Sequence, residues 1–242
     1  MHGLFVTGTD TEVGKTHVTC AIARGLSAQG IRVGLYKPVC SGATTDPSGQ
    51  MVWDDLQRLQ AALPAPVELD RICPQRFAAP LAPPVAAQAE GKAIDEDLLR
   101  TGVAAWDDAA DVVLVEGVGG LLCPLTGTGT IADLAVDLGF PLLIVSPQRL
   151  GTINHTLLTV EVARHRGLSV AGIVMNRLSP EIDASAASNA AEISRLAGVP
   201  VLGEFPFRPA VGLPEDGDNV KIDWWKVITE TDVRSATRDS PY

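Results

Sequence analysis

The chain has few cysteines, and the four it carries, Cys20, Cys40, Cys73 and Cys123, are scattered with no C-x-x-C pair among them. Such spacing suggests neither a zinc site nor a disulfide framework, and free, buried thiols are expected. No apolar run reaches the roughly eighteen residues that a membrane helix needs. The N-terminus enters a short strand directly, without a basic segment or an apolar leader, so a cytoplasmic location is expected. Cations are scarce as well. With 19 Lys and Arg against 29 Asp and Glu, the net charge of -10 argues against a non-specific hold on nucleic acid or an anionic membrane, which needs clustered positive charge. A small anionic ligand can still be held by a few local cations. Internal repeats and low-complexity tracts are missing too, and nothing forces a division of the 242 residues into more than one domain, spanning 1–242.

What is present is alternation. Short apolar runs at 3–8, 31–37, 111–117, 141–146, 170–176 and 200–205 alternate with amphipathic stretches near 15–29, 95–109, 130–138, 152–166 and 184–197. Near-continuous apolar strands belong to a parallel sheet covered on both faces, and right-handed crossovers then predict a doubly wound α/β sheet with its ligand site at the carboxyl ends of the strands. The proline-rich stretch 72–86 reads as an ordered excursion over that face or as a flexible connection. The tail from about Asp218, with "DWWKV", reads as a last packed element, polar and frayed after Thr231.

The first strand runs into "GTDTEVGKT" (8–16) and then into a helix-like segment. A loop of backbone N–H groups at a helix N-terminus binds anions, because unpaired donors and the positive end of the helix dipole point the same way. The spacing is one residue longer than the G-x-x-x-x-G-K-[ST] phosphate loop, yet the lysine and threonine that carry its chemistry keep their places. Lys15 is therefore expected at the β- and γ-phosphates and Thr16 at Mg²⁺. Glu116, at the end of the strand "VVLVE" and before three small or short residues and a further glycine, is the expected partner for the metal. Val13, Gly14, His17, Gly117, Val118 and Gly119 complete the expected nucleotide contacts. No N-K-x-D guanine signature occurs, so ATP is the expected nucleotide.

With "KPVCSG" (37–42), "VEGVGGLLCPL" (115–125), "LGTINHT" (150–156) and "GIVMNR" (172–177) added to the loop, the chain closely resembles the dethiobiotin synthetase family from about residue 3 to Phe207. The resemblance implies a P-loop type fold and a homodimeric ligase of biotin biosynthesis. It would convert 7,8-diaminononanoate, CO₂ and ATP to dethiobiotin, ADP and phosphate through a carbamate and a carbamic-phosphoric anhydride. It also implies site roles. Lys37 matches the active-site lysine, which with Lys15, Thr11 and Glu12 makes the catalytic set; Ser41 matches a substrate-binding serine. Gly151, Thr152, Ile153 and Asn154 match a helix start that binds the substrate carboxylate across the dimer interface. Asn176, with Arg177 beside it, matches the adenine-binding asparagine; Pro206, Phe207, Arg208 and Glu215 match further nucleotide contacts. A third metal ligand is implied in "VWDDLQRL", where Asp54 and Asp55 stay equally open. His155 reads as a packed or capping histidine. Two departures stand out: Val118 replaces the usual alanine, and the last thirty residues match poorly.

Two other readings use the same kind of ATP domain. A cobyrinate-amidating enzyme would need an appended amidotransferase domain, for which the chain is too short. A partition or cell-division switch ATPase predicts a basic face or an amphipathic C-terminal helix, which the acidic balance and the "TRDSPY" ending do not supply.

Overall fold

All six expected strands take their place in one parallel sheet in the computed structural model, which describes residues 1–208 and 221–231. The chain begins with β1 (His2–Gly8), α1 (Lys15–Ser27), β2 (Val33–Tyr36), β3 (Val39–Ser41), β4 (Thr44–Thr45), β5 (Met51–Val52) and α2 (Asp54–Ala61). It continues through α3 (Leu69–Ile72), β6 (Gln75–Phe77), α4 (Pro83–Ala89), α5 (Glu96–Thr101) and a 3₁₀ turn (Gly102–Trp106). The second half comprises β7 (Val112–Gly120), α6 (Ile131–Leu138), β8 (Leu142–Pro147), α7 (Thr152–His165), β9 (Val170–Asn176), α8 (Ala186–Ala197), β10 (Val201–Phe205) and α9 (Trp224–Thr231).

The main sheet has the order β10-β9-β8-β1-β7-β2. From β1 the chain first crosses to β2 at one edge, returns through β7, then winds the other way through β8, β9 and β10. β1 is therefore the strand on either side of which the winding reverses, and a crevice opens beyond its carboxyl end. The apolar runs explain why these strands sit inside: Leu4, Phe5 and Val6 of β1 and Val112 to Val115 of β7 are fully buried, as a sheet covered on both faces requires. A second apolar cluster, from Ile144 and Ile173 to Val160 and Ile193, joins β8 and β9 to α7 and α8.

The helical stretch expected over 95–109 is broken into α5 and the 3₁₀ turn, where Gly102 lies against the Tyr36 ring. A Cβ there would stand 2.6 Å from Tyr36 Oη, so the close approach requires glycine. The stretch 72–86 is ordered: its β6 pairs with β3, Val39 opposite Gln75, and Pro83 opens α4. Proline suits that first helical position because its missing N–H would have no partner there. The "DWWKV" element does pack, as α9, with Trp224 and Ile228 buried. Cys20, Cys40 and Cys73 are free and buried as expected, whereas Cys123 is only half-buried. Among the described residues, no helix is long and apolar enough to cross a membrane.

Candidate active site

The loop after β1 is shaped by glycines with little freedom to change. Gly14, the N-cap of α1, has φ 90 and ψ 29 and offers no side-chain cap, so the first amides of the helix stay open to a ligand. A Cβ on Gly14 would fall 2.0 Å from Asn176 Nδ2. Glu12 adopts φ 55, the one non-glycine with positive φ among the described residues, and its side chain is exposed together with that of Thr11. Strain of this kind clusters where a loop must present groups to a ligand. Lys15 folds back on the loop, its ammonium donating to the Asp10 carbonyl at 3.0 Å. Burial first, and the neighbouring Lys37 second, push its pKa down to about 8.

Four side chains, from α1, α2, β7 and the connection after β2, meet beside this loop. The Thr16 hydroxyl lies 2.7 Å from Glu116 Oε1 and 2.9 Å from Asp55 Oδ1. Lys37, just past β2, donates to the same Glu116 Oε1 at 2.7 Å and to Asp55 Oδ2 at 2.6 Å. Lys37 is 3% exposed and Glu116 1%, so both charges are tolerable only as a pair. Burial works against the charge on Lys37, yet Glu116 and Asp55 outweigh it and hold the pKa well above the usual lysine value. Asp55 is held below the usual carboxylate range: burial opposes this, and Lys37 outweighs burial. Asp54, one residue earlier on α2, is exposed and makes none of these contacts.

This geometry can accommodate a hard cation. The Thr16 hydroxyl has one hydrogen for two carboxylate oxygens, and Glu116 Oε2 is buried with no hydrogen-bond partner. Converging oxygens of that kind match Mg²⁺, which takes one or two carboxylates and completes its shell with water and phosphate. Among the described residues no three His, Cys, Asp or Glu side chains form a metal cage by themselves.

A cleft of about 880 Å³ extends from this cluster, lined by Glu12, Gly14, Lys15, Thr16 and His17 on one side and by Asn176, Arg177, Pro206, Phe207 and Arg208 on the other. Asn176, 3% exposed, donates from Nδ2 to the Val13 carbonyl at 2.9 Å, while its buried Oδ1 has no partner and can accept from an amino group in the cleft. His17 packs edge-on to Phe205. Gly117, Val118 and Gly119 form the end of β7; at Gly119, φ 62, a Cβ would stand 2.8 Å from Cys123 Sγ. Val118 is half-buried against the core.

Comparison with known proteins then decides the family. A model described as an AAA domain matches residues 2–215. An ATP-dependent dethiobiotin synthetase BioD of Anaeromyxobacter dehalogenans (strain 2CP-C) is 50% identical over 214 residues, 87% of this chain and 92% of that protein. Its namesake in Rhodopirellula baltica (strain DSM 10527 / NCIMB 13988 / SH1) is 40% identical, over 82% of this chain and 81% of that protein. BioD 1 of Escherichia coli O157:H7 is 38% identical, over 84% and 89%. The chain belongs to the dethiobiotin synthetase family. Among solved structures, the MinC:MinD cell division protein complex of Aquifex aeolicus aligns with a TM-score of 0.51 at 18% identity, over 100% of this chain and 98% of that one. A ParA family ATPase from Chlorobium tepidum TLS aligns with a TM-score of 0.51 at 11% identity, over 99% and 94%. These likenesses speak for the P-loop fold alone.

The remaining described residues that the synthetase resemblance singled out stand at the end of β3 and at the start of α7. Ser41 ends β3, half-buried and paired with Phe77 of β6. Gly151, φ 89, is the N-cap of α7. Thr152 is turned inward, its hydroxyl 2.6 Å from Ser146 Oγ and its N–H donating to the Arg149 carbonyl at 3.2 Å. That leaves the amides of Ile153 and Asn154 as the forward-facing donors of this helix start. His155 is exposed rather than packed, on the side of α7 that with Leu158, Thr159 and Val162 lines a cavity of about 350 Å³. Glu215 lies outside the described residues. Sequence reasoning missed Asp10, whose backbone carbonyl holds Lys15, and the small sheet of β3 and β6 that follows Lys37. A backbone acceptor leaves no mark in side-chain identity, and a three-residue strand is too short for a periodic pattern.

Proposed function

We propose that this chain closes a ureido ring: 7,8-diaminononanoate, CO₂ and ATP give dethiobiotin, ADP and phosphate, the reaction for which its relatives are named. The observation that carries the reading is the meeting of Thr16, Asp55, Lys37 and Glu116 beside a phosphate loop. One amine nitrogen of the substrate attacks CO₂ and loses a proton, giving a carbamate. The carbamate oxygen attacks the γ-phosphorus of ATP, and the bond to the bridging oxygen breaks to release ADP. The second amine attacks the carbonyl of the resulting mixed anhydride, loses a proton and expels phosphate.

Negative charge gathers between carbamate and phosphoryl oxygens in both later steps, so positioned cations are the main catalytic device. Lys15 and the backbone amides of the loop and of the start of α1, Val13 to Thr16, hold the phosphates. Lys37, whose pKa is held high, stays cationic at working pH and offsets the charge on the transferred group. Thr16, Asp55 and Glu116 would hold Mg²⁺, with Asp54 left as an exposed acid of the first turn of α2. When bound there, Mg²⁺ supplies further neutralisation of the β- and γ-phosphate oxygens. Gly117, Val118 and Gly119 let the backbone of β7 approach the nucleotide, and the free Oδ1 of Asn176 suits the adenine amino group, with Arg177, Pro206, Phe207 and Arg208 around the base.

The exposed Glu12 and Thr11, at the rim of the loop, face the diamine, where a carboxylate answers an ammonium. Ser41 contacts the same substrate. Its carboxylate is held by the start of α7, Gly151 to Asn154, of a second copy. Exposed Leu122, Leu150 and Leu158 around that helix and its cavity support a homodimer, because apolar side chains of this size are left in water at a cost of about 1.5–3 kcal/mol each relative to full burial. The acidic composition argues against nucleic-acid and anionic-membrane partners.

The test is ADP release by purified protein with Mg²⁺, ATP and bicarbonate, with and without the diamine, alongside mass detection of the ureido product. Strict dependence on the diamine is expected; ADP release indifferent to it would overturn the reading.

A further inference from the structure

The segment between β8 and α7 is braced by side chains that take no part in the chemistry above. Asn189, on α8, is 2% exposed. Its Nδ2 lies 3.1 Å from Gln148 Oε1, 3.1 Å from Ser185 Oγ and 3.4 Å from the Arg149 carbonyl. Gln148 in turn donates from Nε2 to the Ala186 carbonyl at 3.4 Å and from its backbone N–H to the Asn176 carbonyl at 2.8 Å. Asp183 reaches the next residue: its Oδ2 accepts from the Leu150 N–H at 3.2 Å, and its Oδ1 from the N–H and hydroxyl of Ser185 at 2.8 and 2.6 Å.

Local forces alone would leave this segment loosely aimed. Leu150 is 79% exposed, so no packing fixes it, and Gly151 at φ 89 is a residue whose backbone moves easily. A primary amide is costly to bury unless it is satisfied, and Asn189 spends its amide on the carbonyl and side chain of the two residues that lead into the helix. The Arg149 carbonyl it touches is also the acceptor of the Thr152 N–H. The brace therefore ends at the first turn of α7.

We infer that Asn189 and Asp183 are positioning residues that set the direction in which the Ile153 and Asn154 amides meet the substrate carboxylate. The inference rests on the reading of this helix start as the carboxylate site. Backbone donors reward only a close fit, and a misplacement of about 1 Å can cost on the order of a hundredfold.

The experiment compares 7,8-diaminononanoate with its methyl ester in steady-state ADP release, for the wild type, Asn189→Asp and Asp183→Ala. Asn189→Asp keeps the side-chain size but replaces the donating amide with oxygen facing three acceptors. Asp183, half-buried in a loop, can be truncated without opening the core, so it keeps the test valid should the first variant fold poorly. The expected result is a KM for the acid raised about tenfold, with kcat and the KM values for the ester and for ATP changed less than about twofold. Equal losses for acid and ester, or a fall in kcat for both, would assign these residues to the fold alone and overturn the inference. Variants that discriminate acid from ester as the wild type does would also overturn it, while leaving the carboxylate site standing. A wild type that does not discriminate would remove the carboxylate site itself and the inference with it.

Discussion

Replacing Gly14 with alanine tests whether the phosphate loop and the proposed base-binding asparagine are built as one unit. Two costs arise from separate features. The backbone at φ 90 and ψ 29 is left-handed, which costs an L-residue about 1–2 kcal/mol. The new Cβ would stand 2.0 Å from Asn176 Nδ2, so that side chain must leave, giving up its 2.9 Å bond to the Val13 carbonyl. Losing a hydrogen bond at a site 3% exposed costs a further 1–2 kcal/mol or so. Together the substitution should destabilise the nucleotide-free protein by about 2–4 kcal/mol in urea denaturation and weaken ATP binding by displacing Asn176. Asn176→Ala in the same background removes the clash but leaves the backbone strain. The double variant should therefore cost at least about 1 kcal/mol less than the two single changes added together. Strict additivity, or a loss under about 0.5 kcal/mol for Gly14→Ala, would show that Asn176 does not sit against the loop and would refute the argument.

Lys37→Met should reduce turnover by on the order of a hundredfold to a thousandfold while ATP affinity, measured by titration, changes only a few-fold; equal losses would move Lys37 from catalysis to nucleotide binding. Glu116→Gln should raise the Mg²⁺ concentration for half-maximal turnover about tenfold or more, whereas Asp54→Asn should leave it nearly unchanged; the opposite ranking would make Asp54 the ligand. Lys15 has a folded pKa of about 8 against 10.5 unfolded, so its burial penalty is present in full below pH 8 and fades as pH rises from 8 toward 10.5. In the nucleotide-free protein, the stability that Lys15→Met gains over the wild type should therefore shrink across that window, which denaturation midpoints at several pH values will measure. Chelation of Mg²⁺ with EDTA should stop ADP release and readdition should restore it.

The part of the candidate site that was legible in the sequence is the part whose signals are local. A strand, a turn with glycine at its end and a helix that begins with Lys15 and Thr16 are contiguous, and their chemistry depends on backbone amides a few residues apart. Asp54 and Asp55 could not be separated this way. Both stand in the first turn of α2, about 100° apart around the helix axis, and which one faces Thr16 depends on how α2 lies against α1. The same limit explains His155, whose exposure follows from where α7 sits on the sheet, and the 95–109 stretch, where the Tyr36 ring against Gly102 interrupts a run that periodicity reads as continuous.

Periodicity and turn chemistry in the chain alone determined the alternating strands and helices, the parallel doubly wound sheet and the phosphate loop with Lys15 and Thr16, while the family came from the resemblance of motifs such as "KPVCSG" and "GIVMNR". Strand order was left to the tertiary structure, and strand order is what brings the ends of β2 and β7 and the start of α2 to one point. Only there do Lys37, Asp55, Glu116 and Thr16 meet. Residues 18 to 100 positions apart leave no pattern of spacing, because what joins them is the exclusion of water from the sheet and the need of each buried charge for a partner.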